Sequence, residues 1–82
     1  MKLLPVMSTS IVGIGWKAYP DSPDTGQMAV QFNTGWYLYE RVSRAAFVDI
    51  IMADSIGKAF AEFKRVLSVP YRQTTPEEIA KL

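Results

Sequence analysis

The chain divides by the period of its apolar positions. Over residues 10–19, Ser10, Val12, Ile14, Trp16 and Ala18 alternate with Ile11, Gly13, Gly15, Lys17 and Tyr19. β-branched and aromatic residues at a period of two predict a strand. The two glycines on one of its faces indicate close approach of another backbone, or a bend. Pro20-Asp21-Ser22-Pro23-Asp24-Thr25-Gly26 carries the densest turn chemistry in the chain. Met28, Val30 and Phe32 then alternate with Gln27, Ala29, Gln31 and Asn33, which predicts a half-buried second strand. Asn33-Thr34-Gly35 reads as a hairpin with Gly35 free to adopt positive φ. Trp36-Tyr37-Leu38-Tyr39 supplies a third strand, aromatic on both faces.

Beyond residue 43 the period changes to that of a helix. Ser43 is a good N-cap for a helix over residues 44–53, with Phe47, Ile50 and Ile51 at i, i+3, i+4. Asp54-Ser55 breaks the run, and Ser55 can cap a second helix. Its core face is Ile56, Phe60, Phe63 and Leu67, with Pro70 marking its end. Thr75-Pro76-Glu77-Glu78 is a capping box with proline at the first helical position. So little chain follows that this last helix is marginal unless docked. The pattern is α+β: a three-stranded antiparallel β-meander followed by two helices packed on one face. The expected core is Ile14, Val30, Phe32, Leu38 or its neighbouring tyrosines, Phe47, Ile51, Ile56, Phe60, Phe63 and Leu67. Since a strand alternates faces, Trp36 and Leu38 oppose Tyr37 and Tyr39. Either these rings complete a small core, or one aromatic set stays exposed on an open sheet face. An open face of that kind predicts self-association into a homo-oligomer.

Composition narrows the chemistry. The 82 residues contain no cysteine and no histidine. A thiolate nucleophile, a Ser-His-Asp triad and an ordinary zinc site are therefore excluded, and no metal or other cofactor is expected. Asp49 and Asp54 do not suggest an acid–base dyad. Gly13-Ile14-Gly15 is not a nucleotide fingerprint, because Ala18 stands at the third glycine position and the pair lies inside a strand. Ser55-Ile56-Gly57-Lys58 matches the Ser-x-x-Lys of acyl-enzymes in spacing only, and a cap with a solvent-facing Lys58 accounts for it. No enzymatic activity is expected.

Net charge is +1, but it is unevenly spread. Residues 41–72 hold Arg41, Arg44, Lys58, Lys64, Arg65 and Arg72 against Asp49, Asp54 and Glu62, a local excess of three positive charges. No apolar run approaches the about 20 residues of a membrane span, and no signal peptide is expected. These readings predict a cytoplasmic protein with no membrane partner. Residues 1–7 read as a flexible extension, with Met7 a plausible alternative start. Residues 8–72 form the domain and 73–82 a tail.

Taken together, Ser10-Ile11, Ile14-Gly15-Trp16, Phe32-Asn33, Gly35, Tyr37-x-Tyr39 and Val42, then Ala53-x-Ser55-x-Gly57-Lys58, Phe60 and Pro70-Tyr71-Arg72, resemble the KTSC domain family. The likeness runs from Ser8 to Arg72. Trp16 replaces the usual Tyr, and Ala61 stands where an Asn commonly follows the Phe. The family takes its name from a domain appended to some lysyl-tRNA synthetases, and it also occurs as small stand-alone phage and mobile-element proteins. The resemblance implies a non-catalytic binding module for a nucleic acid or nucleotide. It implies ligand-binding roles for Ser10, Tyr37, Tyr39, Ser55, Lys58, Tyr71 and Arg72. The alternative is a phage-encoded inhibitor or anti-defence protein that binds a host protein, in the host bacterial cytosol.

Overall fold

The computed structural model describes residues 1–82. Five strands form one antiparallel sheet in chain order: β1 (Leu4–Pro5), β2 (Ile11–Tyr19), β3 (Ser22–Phe32), β4 (Gly35–Ser43) and β5 (Tyr71–Thr74). Three helices complete the fold: α1 (Arg44–Ile51), α2 (Ile56–Leu67) and α3 (Pro76–Lys81). The α+β class and the central three-stranded meander stand as the sequence pattern predicts. The sheet itself is wider, because a short strand joins each edge. Both edge strands are too short to carry a visible period of two.

Each hairpin is tighter than its composition suggests. Tyr19 pairs with Ser22, so only Pro20 and Asp21 form the first turn, and the Pro/Asp-rich segment from Ser22 onward is already strand. Gly26 is therefore a strand residue, needed for space and not for a turn. A Cβ there would lie 2.0 Å from the Lys17 carbonyl oxygen. In the second hairpin Phe32 pairs with Gly35, and no glycine in the chain has positive φ. Asn33 and Thr34 make that turn, and the Asn33 side-chain amide donates to the Thr9 carbonyl at 2.8 Å.

Two irregularities bring apolar residues of unlike parity to one face. Ile11 pairs with Phe32 and Gly13 with Gln31, leaving Val12 bulged, so Ile11 and Ile14 enter the same core. Across β3 and β4, Met28 faces Tyr39 and Gly26 faces Val42. Glu40 and Arg41 thus oppose the single residue Gln27, and Arg41 takes φ 54°. The bulge delivers Val42 to the core beside Tyr39. A polar cluster pins it: the Tyr19 hydroxyl donates to Glu40 Oε1 at 2.6 Å and accepts the Arg41 N–H at 2.9 Å. Gln27 donates to Glu40 Oε2 at 3.0 Å. Burial and the Glu40 contact raise the Tyr19 pKa above its ordinary value.

Both α1 and α2 cover one face. Ser43 caps α1 by accepting the Ala46 N–H, and Ser55 caps α2 by accepting the Lys58 N–H. The main core joins Ile14, Met28, Val30, Tyr39, Val42, Ile50, Phe60 and Phe63 among others, with Phe32, Phe47 and Ile56 packed against it. Trp16 stacks on Phe47 with ring centroids 6.2 Å apart, and its indole N–H donates to the Val42 carbonyl at 2.9 Å. Leu67 departs from the predicted core and is 51% exposed. It lines a shallow cleft between α1 and α2 with Ala46, Ile50 and Val66.

The opposite face of the sheet is not open. Ala29 and Leu38 are buried there under Ile79 of α3, with Met1, Leu3, Trp36 and Leu82 packed against them. Residues 1–7, expected as a flexible extension, contribute β1 and this cover. Leu3 lies against Gly13 and Gly15, where an added Cβ at Gly15 would stand 2.7 Å from Leu3 Cδ2 and 2.9 Å from the Lys2 carbonyl oxygen. The glycine pair thus admits a crossing backbone, as its placement in β2 suggests. The Met1 amino group donates to the Ile79 carbonyl at 2.9 Å, and Lys17 Nζ to the Leu82 carbonyl at 2.7 Å. The expectation of self-association through an uncovered sheet face loses its premise. No helix is long and apolar enough to cross a membrane.

Candidate functional site: a tyrosine-lined groove

Alternation along β4 places Tyr37 and Tyr39 on the helix-covered face. Register does the rest: Tyr71 of β5 pairs with Tyr39. The Tyr71 ring stacks on Tyr39 at 5.4 Å and leans on Tyr37 at 6.2 Å. Phe32 meets Tyr37 edge-on at 5.7 Å, and Phe60 meets Tyr39 edge-on at 5.4 Å. Edge-to-face contacts of this kind stabilise by about 0.5–1.5 kcal/mol each beyond area burial. Phe32, Tyr37, Tyr39 and Tyr71, together with Phe63 and the end of α2, line a groove of about 750 Å³ whose rim carries Lys64, Arg65 and Ser68. That size lies within the range of small-molecule sites.

The groove is asymmetric in polarity. Its floor is Tyr39, only 4% exposed, while Tyr71 is 63% exposed. None of the three tyrosine hydroxyls hydrogen-bonds within the protein. Every fully buried side-chain polar atom has a partner. The Tyr39 hydroxyl must therefore be reached by solvent, and the groove is the cavity that its residue lines. Burial, and then the neighbouring Tyr71 and Tyr37, push the Tyr39 pKa up to about 12, so it stays a protonated donor at neutral pH.

Cations are found at one rim only. Arg65 is engaged by Glu62 at 2.5 Å; the pairing lowers the Glu62 pKa and raises that of Arg65. Lys64 makes no ion pair, and its Nζ sits 5.4 Å from the Phe60 ring centroid.

Of the residues singled out from the sequence, Tyr37, Tyr39 and Tyr71 come together. The others are dispersed. Ser10 is exposed near the second hairpin, where its carbonyl accepts the Asn33 N–H at 3.1 Å. Ser55 is occupied as a helix cap, and Lys58 follows it at the far end of α2 from Lys64. Arg72 alternates to the other face of β5. There it forms a two-bond ion pair with Glu78, both contacts 2.8 Å, and Glu78 also accepts from the Thr74 hydroxyl. Those partners hold the Glu78 carboxyl down at about 2 and raise the Arg72 pKa. The capping box is consequently half made: Thr75 accepts the Glu78 N–H at 3.1 Å, while the Glu78 side chain turns to Arg72 and Thr74. Sequence reasoning passed over Lys64 and Phe63 as groove residues. Their signal was available in the helical period, which places Lys64 next to the Phe60–Phe63 stripe.

The chain contains no grouping of three or more acidic side chains able to hold a metal ion. No family model and no curated protein sequence matches the chain. Among solved structures it is similar to the crystal structure of a KTSC domain protein from Yersinia pestis. The TM-score is 0.75 and the identity 27%, over 89% of this chain and 96% of that one.

Proposed function

From a chain that is folded as a KTSC-like domain, we propose a non-catalytic binding module whose ligand is a nucleic acid or a nucleotide. The observation that carries this reading is the groove: three tyrosines with free hydroxyls beside an unpaired lysine. Exposed tyrosine rings stack bases, each worth about 1–3 kcal/mol, and an ammonium at the rim meets phosphate. The test is binding at low and physiological salt. Affinity that falls as salt rises, and that is lost in Tyr71→Ala, supports the reading. Capture of a stoichiometric protein after nuclease treatment, with no nucleotide recovered, refutes it.

A second reading, an inhibitor that binds another protein, has its own support. Val48 on α1, Met52 at its C-cap, and Val66 and Leu67 on α2 are exposed. Such binding would resist salt and would be weakened by Leu67→Asp, with Tyr71→Ala leaving it intact.

A further inference from the structure

Resting on the nucleotide reading of the groove, we propose that it takes a single nucleoside phosphate: the base lies against Tyr71, and the phosphate is held by the Tyr39 hydroxyl and the Lys64 ammonium. A run of single-stranded nucleic acid is not its ligand.

The floor of the groove supports this first. A tyrosine buried to 96% ordinarily places its hydroxyl on a protein acceptor, because an unpaired polar group in a core is costly. Tyr39 has no such partner, although it is 4% exposed. Packing does not demand the oxygen either, since the ring contacts to Phe60, Phe63 and Tyr71 are all aromatic. A hydroxyl kept without a protein partner at the base of a cavity is suited to donate to an entering oxygen atom. Protonated at neutral pH, it donates and does not repel an anion.

Lys64 supports it second. Phe60 links the two groups, its ring centroid lying 5.4 Å from both the Tyr39 centroid and Lys64 Nζ. Tyr39 and Lys64 line the same groove, one bringing a hydroxyl without a protein partner and the other an ammonium without an ion pair.

The distribution of the remaining cations supports it third. A single strand needs a row of positive groups to follow its phosphates. Past Lys64 the rim offers Arg65, held by Glu62. Arg72, adjacent in sequence to Tyr71, lies on the other side of the sheet in its pair with Glu78. Lys64 serves one phosphate, and past Arg65, whose charge Glu62 offsets, no row of cations continues along the groove.

The experiment is an NMR titration of the full chain. The probes are the four ribonucleoside 5′-monophosphates, the matching nucleosides, inorganic phosphate and a single-stranded DNA octamer, over a series of salt concentrations. At least one monophosphate is expected to saturate and to perturb Tyr39, Lys64 and Tyr71. Its nucleoside is expected to bind more than about tenfold more weakly, since it loses both charge-assisted contacts to the phosphate. Tyr39→Phe and Lys64→Ala each weaken the monophosphate severalfold and leave the nucleoside unchanged. Tyr39→Phe also keeps its thermal midpoint, since the hydroxyl has no partner to lose. Unchanged monophosphate affinity in either variant overturns the proposal. So does an octamer whose salt dependence reports about three or more phosphates, an outcome that leaves the broader nucleic-acid reading standing. If no probe of any kind binds at millimolar concentration, both fall.

Discussion

Phe60 and Leu67 occupy one predicted stripe of α2, yet the structure assigns them opposite energetic weight. Phe60 is 2% exposed and meets Phe32, Tyr39 and Phe63 at centroid distances of 5.5, 5.4 and 5.8 Å. Truncating it to alanine removes a buried ring and its aromatic contacts, leaving a cavity under the sheet. The expected loss is about 3–5 kcal/mol. An 82-residue domain has about 4–12 kcal/mol of stability in all, so Phe60→Ala is close to unfolding. Phe60→Leu keeps most of the volume and loses the ring edges, with an expected cost of about 1–3 kcal/mol. Leu67 is half exposed, and its truncation should cost less than about 1 kcal/mol. Urea unfolding followed by tryptophan fluorescence measures all three, with the half-buried Trp16 packed against the core reporting the transition. Equal losses for Leu67→Ala and Phe60→Leu would refute the packing described. A loss below 1 kcal/mol for Phe60→Ala would show that α2 faces the sheet differently.

Other consequences are as direct. Gly26→Ala should prevent folding, because its Cβ meets the Lys17 carbonyl oxygen at 2.0 Å and backbone must move; a soluble variant with native circular dichroism would contradict this. Gly15→Ala should displace residues 1–3 and cost about 1–3 kcal/mol, with amide exchange rising at Leu3 and Ile79; unchanged exchange there would count against the docking. Glu78 has its carboxyl pKa depressed to about 2 by Arg72 and Thr74. Its contribution is complete above the ordinary carboxylate value and is lost as pH falls toward 2. Acid unfolding should therefore begin at higher pH in Arg72→Ala, and an unshifted acid transition would rule the pairing out as a stabiliser. Arg41→Gly relieves a left-handed backbone residue and should leave stability unchanged or raise it by up to about 1 kcal/mol; thermal melting checks the sign.

What the amino-acid pattern determined by itself was local. The periods of two and of 3.6 placed three long strands and two helices, and Ser43, Ser55 and Thr75 marked their caps, because each signal lies within a few residues of its effect. The aromatic tyrosines of β4 were legible as one face for the same reason. The tertiary structure decided everything that depends on which distant segments meet. β1 and β5 are too short for a period, and they exist because an edge of the meander accepts their backbone hydrogen bonds. The second sheet face is closed by residues 1–3 and Ile79, which join from opposite ends of the chain. Two bulges changed the parity of Ile11 and Val42, which strict alternation assigns to the wrong side. Register sent Tyr71 into the groove and Arg72 away from it, to an acidic partner six residues on. The groove became a site only when β4, β5 and α2 were assembled, since the free Tyr39 hydroxyl and the unpaired Lys64 are defined by partners that are absent, and no local pattern records that.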